Sequence, residues 1–275
     1  MLLQPLGHLS VNRGSGTESI PSGTTPVSSP RTTETPLGRS LKNRRPDLNG
    51  ALVVDKPLGI SSAAACNAVR RRTGGAKVGH AGTLDPLATG VLVICLGTAT
   101  KSIATIQATA KRYAAEVDLS AFTTTDDAEG EREEISVPAP PSHEDVQQAC
   151  ARFLGEIDQR PPIYSAVHID GKRAYDLARK GDLVERPAAK RVRIDSIDIT
   201  AYDWPVASLD IRCGKGVYIR SLARDLGEAL GTGGTLTSLR RTAVGEYTIE
   251  RATPLDDLPE ASGGWTPEML APIGG

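Results

Sequence analysis

The stretch from Gly79 to Gly90, GHAGTLDPLATG, constrains this chain more than any other. Gly79, Gly82, Gly90 and Pro86 turn the backbone tightly, and the VLVICLG that follows reads as a fully apolar strand. A polar turn is therefore fed straight into the core. Asp85 sits in that turn, beside Pro86 and among small and apolar neighbours. Alone, an Asp-Pro pair is an ordinary Asx turn. The other reading is a nucleophile or base on a rigid loop, whose small residues let a substrate come close. The loop by itself leaves both readings open.

Around it, short strands and helices alternate without the even rhythm of a parallel βαβ sheet. GALVVDKP, from Gly50, reads as a buried strand stopped by its proline. Ser61 or Ser62 can cap a helix to about Arg72, which Gly74 and Gly75 end. Thr98 to Ala110 reads as a helix with Ile103 and Ile106 on one face. In KRYAAEVDLS, Tyr113, Ala115 and Val117 alternate onto one side, as in a half-buried strand. The acidic run Thr123 to Glu134 reads as a solvated hairpin or loop. Ser142 with Asp145 makes a capping box for a helix through Phe153. A short helix from Arg173 to Arg179, strands in RVRIDSIDITAYDW and ASLDIRCG, and a helix from Tyr218 to Leu230 closed by Gly231 complete the series. The expected fold class is α+β: a mixed, mostly antiparallel sheet with flanking helices.

Residues 1–47 differ from the rest. They are rich in Ser, Thr, Pro and Gly and lack an apolar period, so they read as a disordered extension. A transit peptide and a misassigned start are the other readings of that segment.

Composition narrows the function classes. No apolar run is long enough to cross a bilayer, and MLLQPLGHL lacks the basic start and apolar core of a secretory signal. Cys66, Cys95, Cys150 and Cys213 lie far apart with no CxxC pair. They read as buried, reduced thiols of a cytoplasmic protein, and no metal site is expected. The net charge of -1 does not advertise a polyanionic partner, but affinity for RNA depends on where the cations lie. Arg70, Arg71, Arg72 and Lys77, just ahead of the loop, can track an RNA backbone or form a solvated helix end.

GHAGTLDPLATGVL closely resembles the active-site motif of the TruB family of pseudouridine synthases. The resemblance continues in DKPLGISS at 55–62, KRYAAEV at 111–117 and QRPPIYSAVHIDGKRAYDLARKG at 159–181. It ends with GVYIRSLARDLGEALG at 216–231 and LTSLRRTAVGEY at 236–247, so it spans Gly50 to Ile249 in the family's order. One departure is His168, where the family usually has lysine.

The resemblance implies the pseudouridine synthase fold, with an active-site cleft across the sheet. It also implies isomerisation of an RNA uridine to pseudouridine without a cofactor. In that chemistry the C1′–N1 bond breaks, the uracil turns, and C5 bonds to C1′. Asp85 matches the catalytic carboxylate, read as a nucleophile, and Arg220 the arginine that pairs with it. An adjacent guanidinium favours an ionised carboxylate and fixes its direction. Tyr113 matches the tyrosine that stacks on the flipped base and acts in proton transfer. Tyr218 closes the pocket, and Leu239 lies on the base's other side. His80 matches a residue that displaces and stacks everted nucleotides, rather than a general base. Lys56 reads as a phosphate contact or a loop brace. Without the resemblance, Tyr113, Tyr218 and Leu239 would be core residues and Arg220 a surface helix arginine.

The implied target is uridine-55 in the T-loop of tRNA, bound through the T-arm, by a monomer without an obligatory protein partner. The catalytic domain is expected over 48–250. Residues 251–275 are expected as a short tail, too few and too rich in Pro and Gly for an RNA-binding module of the PUA type. Two alternatives remain: a synthase acting on another RNA, and a non-catalytic RNA-binding or tRNA-folding protein on the same scaffold.

Overall fold

The computed structural model describes residues 45–165, 168–169, 172–173 and 186–273. Of the extension expected to be disordered over residues 1–47, residues 1–44 lie outside this range, as does all of the helix expected at 173–179 beyond Arg173.

The chain runs β1 (Gly50–Lys56), α1 (Ser62–Arg72), β2 (Val78–His80), β3 (Ala88–Leu96), α2 (Ile103–Ala108), β4 (Lys111–Asp118), β5 (Ala121–Thr123) and β6 (Arg132–Glu134). Then come α3 (His143–Ala151), β7 (Gly155–Gln159), β8 (His168–Ile169), β9 (Lys172–Arg173), β10 (Lys190–Asp203) and β11 (Val206–Cys213). The last elements are α4 (Ile219–Leu230), β12 (Thr235–Val244), β13 (Tyr247–Thr248) and β14 (Thr253–Pro254). Ten strands form one sheet in the order β14-β1-β3-β12-β4-β11-β10-β7, with β2 on β3 and β13 on β12. Only β1–β14 and β3–β12 are parallel, so the sheet is mixed and mostly antiparallel, as expected.

Strand alternation sets the two faces. Leu52, Val54, Leu92 and Ile94 pack with Ala65, Cys66 and Val69 of α1, and Leu209 and Ile211 with Leu222 and Leu226 of α4. Val53, Val91, Val93 and Cys95 face the opposite way, onto Ala99 and Ile106. This explains why β3 has no polar side: it is covered on both faces. All four cysteines are buried and free.

The helix ends follow the expected chemistry, with two refinements. Ser61 caps α1 by accepting from Ala64 N at 3.1 Å, while the neighbouring Ser62 has another task. Ser142 and Asp145 form the capping box of α3, and Gly231 ends α4 in the left-handed region at φ 69°. The helix expected over 98–110 is a 3-10 turn, Gly97–Ser102, before the α-helical Ile103–Ala108.

The segment after 250 packs on the same body. Thr253 and Pro254 pair with β1, Leu255, Leu258, Trp265 and Leu270 are buried, and the Trp265 indole donates to Arg72 O at 2.8 Å. Arg72 in turn donates to the Leu258 carbonyl and meets Glu260 at 3.1 Å. One of the four cations considered for an RNA path is thus engaged by the protein's own tail. No helix among the described residues is long and apolar enough to cross a membrane.

Candidate active site

Asp85 lies in the turn between β2 and β3, and its own carbonyl accepts from Ala88 N at 3.1 Å. Three neighbours brace this loop. Gly59 N, in the DKPLG turn, donates to Pro86 O at 2.9 Å. Ser62, only 2% exposed, accepts from Leu84 N at 2.7 Å and donates to Leu84 O at 2.9 Å. From β12, Arg241 donates to the carbonyls of Gly82, Thr83 and Val91. The Asp85 side chain, 42% exposed, is left facing open space.

That space is a cleft of about 510 Å³ across the sheet. Asp85, Tyr113, Tyr218, Arg220 and Leu239 all line it, so five residues from distant motifs meet in one place. Tyr113 comes from β4 and Leu239 from β12, adjacent strands in the sheet. Tyr218 is the N-cap residue of α4, and Arg220 stands in its first turn. The Gln159 side chain holds the Tyr218 backbone from both sides, accepting from Tyr218 N at 2.8 Å and donating to Tyr218 O at 3.1 Å.

Arg220 is buried, and its guanidinium lies 2.9 Å from Asp85 and 3.3 Å from Asp127. It also donates to Thr125 O and Tyr164 O. Asp127 comes from the acidic run expected to be solvated. That run does make a hairpin, β5 with β6, but its tip is pulled inward. Asp126 and Asp127 are 3% and 2% exposed, Asp126 pairing with Arg186 and Arg224 and Asp127 with Arg220. Buried carboxylates need such partners, and α4 supplies two arginines one turn apart. The sequence signal was present in the spacing of Arg220 and Arg224, but nothing local tied it to Asp126 and Asp127.

Burial raises the Tyr113 hydroxyl above its ordinary value, with Arg241 pulling the other way. Burial also raises Tyr218, and the nearby Asp85 charge adds to that. Both phenols are therefore neutral, flat surfaces with a protonated edge.

Two expected site residues lie off the cleft wall. His80 is in β2 opposite Ile94, and burial together with the Arg241 charge lowers its pKa. Burial thus favours the neutral imidazole, and His80 is not among the residues that line the cleft. Lys56 is fully buried, and its ammonium donates to the carbonyls of Pro57 and Ile60, each at 2.8 Å. It braces the DKPLG turn and cannot reach a phosphate. The reading of Lys56 as a substrate contact is corrected accordingly. Arg241 and Ser62 were not singled out as site residues, because a strand arginine and a helix-start serine have commoner explanations. Among the described residues no cluster suited to a metal ion occurs.

The N-terminal domain model of the TruB family pseudouridylate synthases matches residues 70–219, and the tRNA pseudouridylate synthase B C-terminal domain matches residues 220–271. This chain belongs to the TruB family. A tRNA pseudouridine synthase B of Cupriavidus metallidurans is 48% identical over 231 residues, covering 83% of this chain and 73% of that protein. The protein of the same name from a Mycobacterium species is 47% identical over 213 residues, covering 76% of this chain and 71% of its own length. A chain in the crystal structure of a Cbf5-Nop10-Gar1 complex superposes with a TM-score of 0.60 at 26% identity. That match covers 83% of this chain, which spans 60% of the longer partner. The C-terminal family model takes in α4, β12 and the packed tail, so Arg220 and Leu239 fall within it and Asp85 and Tyr113 within the N-terminal one.

Proposed function

We propose that this chain isomerises uridine to pseudouridine in tRNA, at position 55 of the T-loop, with Asp85 as the reacting carboxylate. The observation that carries this reading is the Asp85–Arg220 pair at 2.9 Å, at the edge of a cleft walled by Tyr113, Tyr218 and Leu239. The names of the relatives supply tRNA as the substrate class, and a T-loop base costs less to extrude than one in a duplex.

Each side chain then has a task. Arg220 aims the carboxylate through their 2.9 Å contact. Tyr113 offers its ring to the extruded uracil and Leu239 the apolar opposite wall, so the detached base is retained while it turns. Asp85 either attacks C1′ as the C1′–N1 bond breaks, its C1′–O bond then breaking as C5 bonds to C1′, or takes the 2′ proton as C1′–N1 breaks and returns it as C5 bonds to C1′. The proton leaving C5 is balanced by one gained at N1. The Tyr113 hydroxyl is the proton-transfer group on the base side. His80 positions the everted nucleotides from beside the cleft. The reaction is redox-neutral and uses no cofactor. In this reading the chain acts as a monomer without an obligatory protein partner, and its four free buried thiols suit the cytoplasm.

The test is pseudouridine mapping in a tRNA transcript and an unrelated structured RNA, with wild type and Asp85→Ala. Pseudouridine at tRNA position 55 with wild type alone is expected. Equal product from both proteins, or modification of the unrelated RNA only, overturns the assignment.

A further inference from the structure

Arg241 is 1% exposed, among the largest fully buried side chains of the protein. Among the described residues no carboxylate pairs with it. Its guanidinium is satisfied by main-chain oxygens instead: Val91 O at 2.8 Å, Gly82 O at 3.1 Å and Thr83 O at 3.3 Å. These three carbonyls stand on both arms of the loop that carries Asp85. The fork of a guanidinium can span them, whereas a lysine ammonium is a single point.

The register adds a second relation. Arg241 is directly opposite Tyr113 across β12 and β4, and opposite Gly90 across β12 and β3. Directly opposed residues on an antiparallel pair share a face of the sheet. One side chain therefore touches the loop of the carboxylate and faces the ring proposed for the base. Its positive charge also pulls the Tyr113 hydroxyl down, against the effect of burial. As a source of stability this arrangement is poor, because carbonyls offset only part of the desolvation cost of a buried cation without a counter-ion.

We propose that Arg241 is a positioning residue: from beneath the active-site loop it fixes the separation and direction of Asp85 relative to Tyr113. Ser62 pins the same loop at Leu84 from the other side, so Arg241 sets the half that faces the sheet. Arg241 borders the cleft but is only 1% exposed, so it acts through Asp85 and Tyr113.

The inference rests on the uridine isomerisation proposed above, and the experiment keeps the two apart. Arg241→Lys and Arg241→Met are compared with wild type for single-turnover pseudouridine formation at saturating tRNA, tRNA affinity and thermal unfolding. The wild-type arm tests the reaction itself; if it forms no pseudouridine, the functional reading falls. The expected result is a chemical step slowed about 10²-fold in both variants, since small misplacements of reacting groups cost that much. Affinity should stay within about twofold, giving a fall in kcat without a matching rise in KM. In Arg241→Met the pH–rate limb belonging to Tyr113 should also move to higher pH, while Arg241→Lys should leave it in place. A folded variant with wild-type rate, or a loss traced wholly to weaker tRNA binding, overturns the proposal. Failure of both variants to fold makes Arg241 a structural residue and overturns it too.

Discussion

The Arg220 guanidinium stands 2.9 Å from the Asp85 carboxylate, and it is the buried member of that pair, at 7% exposure against 42%. Behind it Asp127 takes a second edge of the same group at 3.3 Å. Arg220→Ala removes both contacts. Turnover should fall about 10²-fold or more, because the carboxylate loses its direction, while tRNA affinity stays nearly unchanged. Asp127 is left buried without its partner, which costs about 3–5 kcal/mol of stability. Single-turnover rates and urea unfolding of the purified variant check both statements; a fully active Arg220→Ala would remove the pairing from the mechanism.

Asp126, next in the chain, tests the hairpin tip separately. It pairs with Arg224 at 2.8 Å and with Arg186 through two bonds, at 2.6 and 3.0 Å, and adopts φ 63°. Asparagine tolerates that left-handed conformation, so Asp126→Asn changes the charge and little else. Breaking the buried pair should cost about 3–5 kcal/mol. A denaturation midpoint equal to wild type would mean that Asp225 alone balances Arg224.

Lys56 separates bracing from RNA contact. Removing a lysine that touches phosphate lowers the slope of log affinity against log salt by about one. Lys56→Met should leave that slope unchanged, since the ammonium is spent on Pro57 and Ile60. Stability against pH gives a second readout. Burial holds this lysine at about 8, against an ordinary 10.5. The folded chain therefore releases the proton first, and in that window the unfolded chain binds more protons. The contribution to stability is flat below about pH 8 and rises with pH above it. Wild type should gain on Lys56→Met between about pH 7 and pH 10; equal gains in urea unfolding would refute the burial.

Lys56 also marks where the sequence stopped being legible. The loop 79–90, the strand alternation of Tyr113, Ala115 and Val117, and the caps Ser61, Ser142 and Gly231 are local patterns, and local patterns decide local structure. The meeting of Asp85, Tyr113, Tyr218, Arg220 and Leu239 was legible only through the resemblance, because it joins strands and a helix far apart in the chain. Lys56, Asp127 and Arg241 carry charges, whose default place is the surface. What buries them is main-chain carbonyls or a distant arginine, and neither leaves a mark in the neighbouring residues.

Gly90 connects the loop to Arg241 and gives the sharpest test of how tightly they are fitted. Its φ is +97°, and a Cβ there would lie 2.3 Å from the Arg241 carbonyl oxygen, a backbone atom that cannot swing away. Gly90→Ala must strain the left-handed residue and also separate β3 from β12. Left-handed strain of about 1–2 kcal/mol and overpacking of about 1–3 kcal/mol together predict a loss of about 2–5 kcal/mol. Gly59 is the control: its φ is +83° but nothing lies within 4 Å of a Cβ, so Gly59→Ala should show the strain alone. The two variants are compared by urea unfolding and by single-turnover rate. Gly90→Ala should lose rate as well as stability, because the strand it displaces carries Arg241 beneath Asp85. Equal destabilisation by the two alanines would mean that β12 yields freely, and the close fit of Arg241 under the loop would then have no mechanical basis.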